Sequence, residues 1–78
     1  MKRLLLTQLE SGQTGKVVSV LAGQGLINRL STLGIRPGKT ITKVSSILMR
    51  GPVIARVDNT EVAIGFGMAS KIVVEVEE

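Results

Sequence analysis

A small, partly open β-barrel of the SH3-like type, with about five strands and a short helix inserted between the first and second, is the fold class this chain predicts. Three observations carry that expectation. Val- and Ile-rich runs at Lys16–Ala22, Lys39–Leu48, Val53–Val57, Glu61–Ile64 and Lys71–Glu77 have the length and residue types of ordinary strands. Between the first two the spacing of apolar residues changes from a strand's to a helix's, with Leu26, Leu30 and Leu33 at i, i+4 and i+7. The composition is 44% hydrophobic but only 1% aromatic, with 9 glycines, so Val, Ile and Leu must fill a tight interior while glycine serves turns and close approaches of chain to chain.

Taken in order, Thr7-Gln8-Leu9-Glu10 has the form of a capping box, in which the Thr hydroxyl and Glu carboxylate satisfy free amides at a helix start, and Gly12 ends that turn. Gly15 opens the first strand, whose alternation is too blurred to show which face turns inward. Gly23-Gln24-Gly25 leads into the amphipathic helix, which sets Asn28, Arg29, Ser31 and Thr32 opposite its leucines. Gly34 stands where a C-terminal cap needs a residue tolerant of φ > 0, and Pro37 discourages continuation. The second strand is interrupted at Ser45-Ser46, where a bend or bulge lets a small sheet curl, and Met49-Arg50-Gly51-Pro52 forms the turn after it. Val53, Ala55 and Val57 alternate with Ile54 and Arg56 in the third strand, and Asp58-Asn59 suits the positive φ of a tight hairpin leading to Glu61–Ile64. Gly65–Ser70 carries too much glycine for a strand and fits one helical turn. The last strand sets Ile72, Val74 and Val76 inward.

At 78 residues the chain reads as a single domain, 1–78, without linker, repeat or low-complexity tract, burying roughly 60% of its extended surface. Met1-Lys2-Arg3-Leu4-Leu5-Leu6 mimics the start of a signal peptide, but its apolar run stops well short of the about seven residues an export signal needs. Nothing approaches the ~20 apolar residues of a membrane span, although mean hydropathy is +0.35. The absence of cysteine fits a reducing cytoplasm.

With no His and no Cys, the usual catalytic bases, nucleophiles and soft-metal ligands are missing, so no enzyme is expected. Gly23-x-Gly25 precedes a helix, the right order for anion capture, yet lacks the remainder of a phosphate-binding loop and reads as a structural turn. The formal charge of +4 and pI near 10.2 invite a nucleic-acid reading. Against it, the basic residues are scattered, and Phe66 is the single aromatic on which a base would stack. Carboxylates alone, from Glu10, Asp58, Glu61, Glu75, Glu77 and Glu78, offer poor selectivity for Fe²⁺. Asp58 and Glu61 flank one hairpin turn and are explained as a turn residue and a solvated strand residue.

The order of several short motifs resembles the ferrous iron transport protein A (FeoA) family over nearly the whole chain. They are Leu6-x-x-Leu9-x-x-Gly12-x-x-Gly15-x-Val17, Leu30-x-x-Leu33-Gly34-Ile35-x-Pro37-Gly38, Gly51-Pro52-Val53, Glu61-Val62-Ala63-Ile64-Gly65, Ala69 and Ile72-x-Val74. The resemblance implies an SH3-like barrel, a small cytoplasmic accessory of bacterial ferrous iron uptake. Its implied partner is a membrane permease with a GTP-binding domain, ferrous iron transport protein B. It associates the chain with iron homeostasis and, at family level only, with weak Fe²⁺ contact; no resident cofactor, catalytic residue or metal ligand is expected. Similar domains close metal-dependent transcriptional repressors, so a free-standing regulatory domain is the alternative, beside a small basic nucleic-acid-binding barrel.

What the residues themselves offer is surface recognition. Arg29 and Leu33 on the helix, Gly34, Ile35, Arg36 and Pro37 in the turn, and the loop residues Met49, Arg50, Phe66 and Met68 form a candidate apolar patch with basic edges. For Leu26, Leu30 and Leu33 the core is the favoured reading over contact with a partner, whereas Ile35 suits either. Edge strands of a partly open barrel also permit homo-oligomers.

Overall fold

The computed structural model describes residues 1–46 and 51–77. In chain order it contains β1 (Lys2–Leu5), a 3-10 turn (Leu6–Gln8), β2 (Thr14–Val20), α1 (Gln24–Thr32), β3 (Thr40–Ser46), β4 (Val53–Val57), β5 (Thr60–Ile64), α2 (Phe66–Ala69) and β6 (Ile72–Val76). The six strands form one antiparallel sheet in the order β1-β6-β2-β3-β4-β5. The 3-10 turn that follows β1 touches α2, which follows β5, so the two ends of the sheet are drawn together and the sheet curls into a small, partly open barrel.

Five strands lie where the sequence places them, and α1 is inserted between the first two of these, β2 and β3. The sixth is β1. The N-terminal segment pairs with β6 from Lys2 opposite Val76 to Leu5 opposite Val73. It does not announce itself by alternation because Leu4 and Leu5 are both half-buried, as suits a short edge strand.

Inside the sheet lie Leu6, Leu9, Val17, Leu30, Ile35, Ile41, Val53, Ala55, Val57, Ile64, Ala69, Ile72, Val74 and Val76. In β4 and β6 alternate residues are buried, as their period of two demands. β2 behaves differently. Gly15 and Val17 face inward, and then the register against β6 shifts between Val17 and Ser19, a bulge that ends strict alternation. A second shift, between Lys43 and Ser45, bends β3 just ahead of the expected Ser45-Ser46 position. The remainder of that expected strand, Ile47 and Leu48, and Met49 and Arg50 of the expected turn, lie outside the described residues.

Gly15 is buried on the inward face of β2, directly beside β6. A Cβ built there would stand 3.0 Å from the Glu75 carbonyl oxygen and 3.0 Å from Val76 Cγ1. Only glycine lets the sheet curve this tightly.

The capping at the N-terminal turn differs from expectation. Thr7 and Glu10 do not form the reciprocal pair; instead the Leu5 N–H donates to Gln8 Oε1 at 2.7 Å and the Glu10 N–H to Gln13 Oε1 at 2.9 Å. Leu6 and Leu9 are 0% and 2% exposed, and anchoring both fixes the turn at Leu6–Gln8, ahead of the predicted box. The β4–β5 hairpin follows prediction: Asp58 and Asn59 have φ of 51° and 64°, the left-handed pair of a type I′ turn.

Candidate functional site

The expected patch begins on α1. The helix ends in a Schellman motif, in which the Gly34 N–H donates to the Ser31 carbonyl at 3.0 Å and the Ile35 N–H to the Leu30 carbonyl at 2.9 Å, with Gly34 at φ 87°. Thr32 Oγ1 adds a 2.6 Å bond to the Arg29 carbonyl. This geometry decides which side chains face out. The motif brings the residue four positions before its glycine cap and the residue just after it, here Leu30 and Ile35, into the hydrophobic contact that usually accompanies it, and both are buried, at 0% and 1% exposure. Ile35 therefore leaves the candidate docking set: it is core. Leu33 remains 41% exposed, with Arg29 one helical turn earlier and Arg36 and Pro37 exposed in the turn that follows. Gly34 lies against the β4–β5 hairpin, its would-be Cβ 3.5 Å from Val57 Cγ1, and Lys39 Nζ reaches Asp58 Oδ2 at 2.6 Å. The segment from Arg29 to Lys39 is thereby held to the barrel at both the helix end and the hairpin tip.

The other expected members stand apart from it. Met49 and Arg50 lie outside the described residues. On α2, Phe66 is 38% exposed, whereas Met68 is half-buried and packs against the core. α2 is tied to the loop after β2, through the bond from the Lys71 N–H to the Met68 carbonyl and from the Leu21 N–H to the Lys71 carbonyl. Among the described residues no hydrogen bond or ion pair joins α2 to the Arg29–Pro37 segment. A second exposed apolar residue, Leu21, at 61% exposure, belongs to this α2 region and was not singled out from sequence, because it continues a strand-like run.

One further residue escaped sequence reading. Lys43 is 6% exposed, and its ammonium donates to the Leu9 carbonyl at 2.7 Å and the Thr7 carbonyl at 3.2 Å. Its backbone accepts from the Gly12 N–H at 2.6 Å and donates to the Gln13 carbonyl at 3.0 Å. Lys43 clasps the 3-10 turn and the following loop onto β3. The signal available in sequence was its i+2 spacing from Ile41, which puts both on the inward face.

Three carboxylates are dispersed into separate ion pairs with cations: Glu75 with Arg3 at 3.6 Å, Asp58 with Lys39, and Glu61 with Arg56 at 2.8 Å. Asp58 and Glu61 flank the same turn yet take different partners. Among the described residues no three His, Cys, Asp or Glu side chains converge as metal ligands. The concavities are open troughs: one of about 400 Å³ along β2 and β6 with Lys16, Thr40, Glu75 and Glu77 on its walls, and one of about 560 Å³ beside β1 with Lys2, Gln8, Glu10 and Glu77. Among the described residues no helix is long and apolar enough to cross a membrane.

Comparison with known proteins agrees with this architecture. The chain is 35% identical over 66 residues to a candidate Fe(2+) transport protein A of Methanocaldococcus jannaschii, covering 85% of this chain and 78% of that one. Among solved structures it superposes on the crystal structure of an iron uptake regulatory protein, FeoA, with a TM-score of 0.87 and 32% identity, covering 96% of this chain and 97% of that one. It superposes on Stenotrophomonas maltophilia FeoA, a prokaryotic SH3 domain protein solved with zinc, with a TM-score of 0.78 and 26% identity, covering 92% and 89%. In fold alone the likeness extends to a manganese-dependent transcriptional repressor, TM-score 0.86 at 20% identity, where 96% of this chain matches 42% of the repressor. The FeoA domain model matches residues 4–76, from the half-buried Leu4 of β1 to the core Val76 of β6, and on that match the chain belongs to the FeoA domain family.

Proposed function

We propose that this protein is a non-enzymatic accessory of ferrous iron uptake that acts in the cytoplasm by docking on a membrane iron permease carrying a GTP-binding domain. The family is one of transport accessory proteins and not a known enzyme family. The observation that carries the docking surface is the exposure of Leu33: at 41% it is left out of a core that takes Leu30 and Ile35 almost completely, and it stands between Arg29 and Arg36. An apolar centre with arginine at its edge is the composition that protein interfaces favour. Because the Schellman cap and the Lys39–Asp58 pair hold this segment, little ordering entropy is lost when it is covered.

The test is capture of the permease's soluble GTP-binding domain by the immobilised protein, compared with Arg29→Glu and Leu33→Asp. Wild type retains the domain and each variant loses most of it; equal retention by all three removes this surface from the reading. The alternative of a free-standing regulatory domain is favoured by the fold shared with the repressor. It requires instead that the protein be recovered with a DNA-binding subunit and not with the permease.

A further inference from the structure

The two edge strands of the sheet are not equivalent. At β1, the outward Leu5 N–H is occupied by Gln8 Oε1, which blunts that edge. At β5 nothing comparable happens. The two-residue hairpin makes Val57 and Thr60 the hydrogen-bonded closing pair, so along β5 Thr60, Val62 and Ile64 bond inward to β4, and Glu61 and Ala63 direct their N–H and C=O groups off the sheet. Among the described residues no backbone or side-chain hydrogen bond reaches those four groups. Both residues are exposed, and Thr60-Glu61-Val62-Ala63-Ile64 carries no proline, lysine or bulge to discourage pairing.

We propose that β5 is a self-association edge, on which a second copy of this chain adds its own β5 antiparallel about a two-fold axis through Val62. Self-complementarity picks the occupant and the register. Pairing Glu61 with the second copy's Ala63, and Ala63 with its Glu61, uses all four free backbone groups in each chain. It also sets each carboxylate opposite a small neutral side chain. Of the two neighbouring symmetric registers, one opposes Glu61 to Glu61, a directly facing like-charge pair that is unfavourable, and the other opposes Glu61 to Gly65, which lies beyond the strand as the N-cap of α2. In the selected register Val62, half-buried and packed against the core, meets its own copy at the axis, so the apolar layer continues across the junction. The Arg56–Glu61 ion pair stays on the outer face. One short strand edge buries less than the ~1,200 Å² of a standard stable interface, so the dimer forms and dissociates with concentration.

The experiment is sedimentation velocity on the purified chain from about 10 μM to about 1 mM, the range of weak association. Three single variants accompany it, each checked for an unchanged far-UV circular dichroism spectrum. Ala63→Glu opposes two pairs of like charges and weakens association about tenfold; Ala63→Lys opposes Lys to Glu61 and strengthens it several-fold. Val62→Cys, in a chain with no other cysteine, cross-links to a dimer on mild oxidation, because non-hydrogen-bonded antiparallel pairs bring Cα atoms to about 4.5 Å, within disulfide reach. The proposal is overturned by a wild type that stays monomeric throughout, by equal effects of the two Ala63 variants, or by failure of the cysteine variant to cross-link. Only this chain is in the tube, so such a result leaves the permease reading untouched.

Discussion

Replacing Gly15 by alanine forces a methyl group into the seam between β2 and β6. Its position is set by the backbone, 3.0 Å from the Glu75 carbonyl oxygen, 3.0 Å from Val76 Cγ1 and 3.3 Å from Val74 Cβ. Ordinary contacts lie near 3.5–4.0 Å, so the methyl is about half an ångström too close to the Glu75 carbonyl and Val76 and about 0.2 Å too close to Val74. The carbonyl belongs to a strand paired on both edges, to β1 and to β2, and cannot swing aside without disturbing a ladder. Overpacking of this kind costs about 1–3 kcal/mol, and the smaller entropy of an unfolded alanine offsets about 0.4–1 kcal/mol of it. The net expectation is a loss of about 1–2 kcal/mol, which in a domain of this size lowers Tm by roughly 5–15 °C. Thermal and urea denaturation followed by circular dichroism measure it. Gly67→Ala is the control, since nothing lies within 4 Å of its would-be Cβ and alanine suits the helical turn. A Gly15→Ala protein as stable as wild type, or no less stable than Gly67→Ala, refutes the argument that this glycine permits the curvature of the barrel.

Lys43→Met removes the donor from the Thr7 and Leu9 carbonyls; a loss of about 1–3 kcal/mol in urea denaturation is expected, with faster amide exchange across residues 6–13. Arg56→Ala breaks an ion pair whose side chains are each 50% exposed, so stability changes by less than about 1 kcal/mol, and less still in high salt. Anaerobic calorimetric titration with Fe²⁺ is expected to show only weak, nonstoichiometric heats, because Asp58, Glu61 and Glu75 are each paired with a cation in a different part of the fold. A stoichiometric submicromolar site contradicts that expectation.

Where one rule acts alone the sequence is a good guide. β4 and β6 show their faces by simple alternation; Asp58-Asn59 announces a turn that needs positive φ; and Gly34 closes α1 in the left-handed conformation expected of it. Legibility fails where two elements compete for one residue. Val18 lies in a bulge, so the face of β2 is set by its pairing with β6 and not by its own pattern. Ile35 looks like a turn residue available to a partner, but the cap that Gly34 makes possible folds it back toward Leu30. Lys43 shares the inward face with Ile41, but only the 3-10 turn, from elsewhere in the chain, supplies the two carbonyls that hold its ammonium there.

Composition and spacing by themselves determined the class of architecture, the position of five of the six strands along the chain, the insertion of α1 and the lack of histidine and cysteine chemistry. These follow from local preferences and from side-chain inventory, which need no knowledge of neighbours. Which strands lie at the edges, which exposed leucine stays outside the core, and which lysine is buried were decided only when the sheet closed in the order β1-β6-β2-β3-β4-β5. Burial and pairing are properties of contacts between residues far apart in the chain, and a β-barrel built from such contacts carries its recognition surface in them.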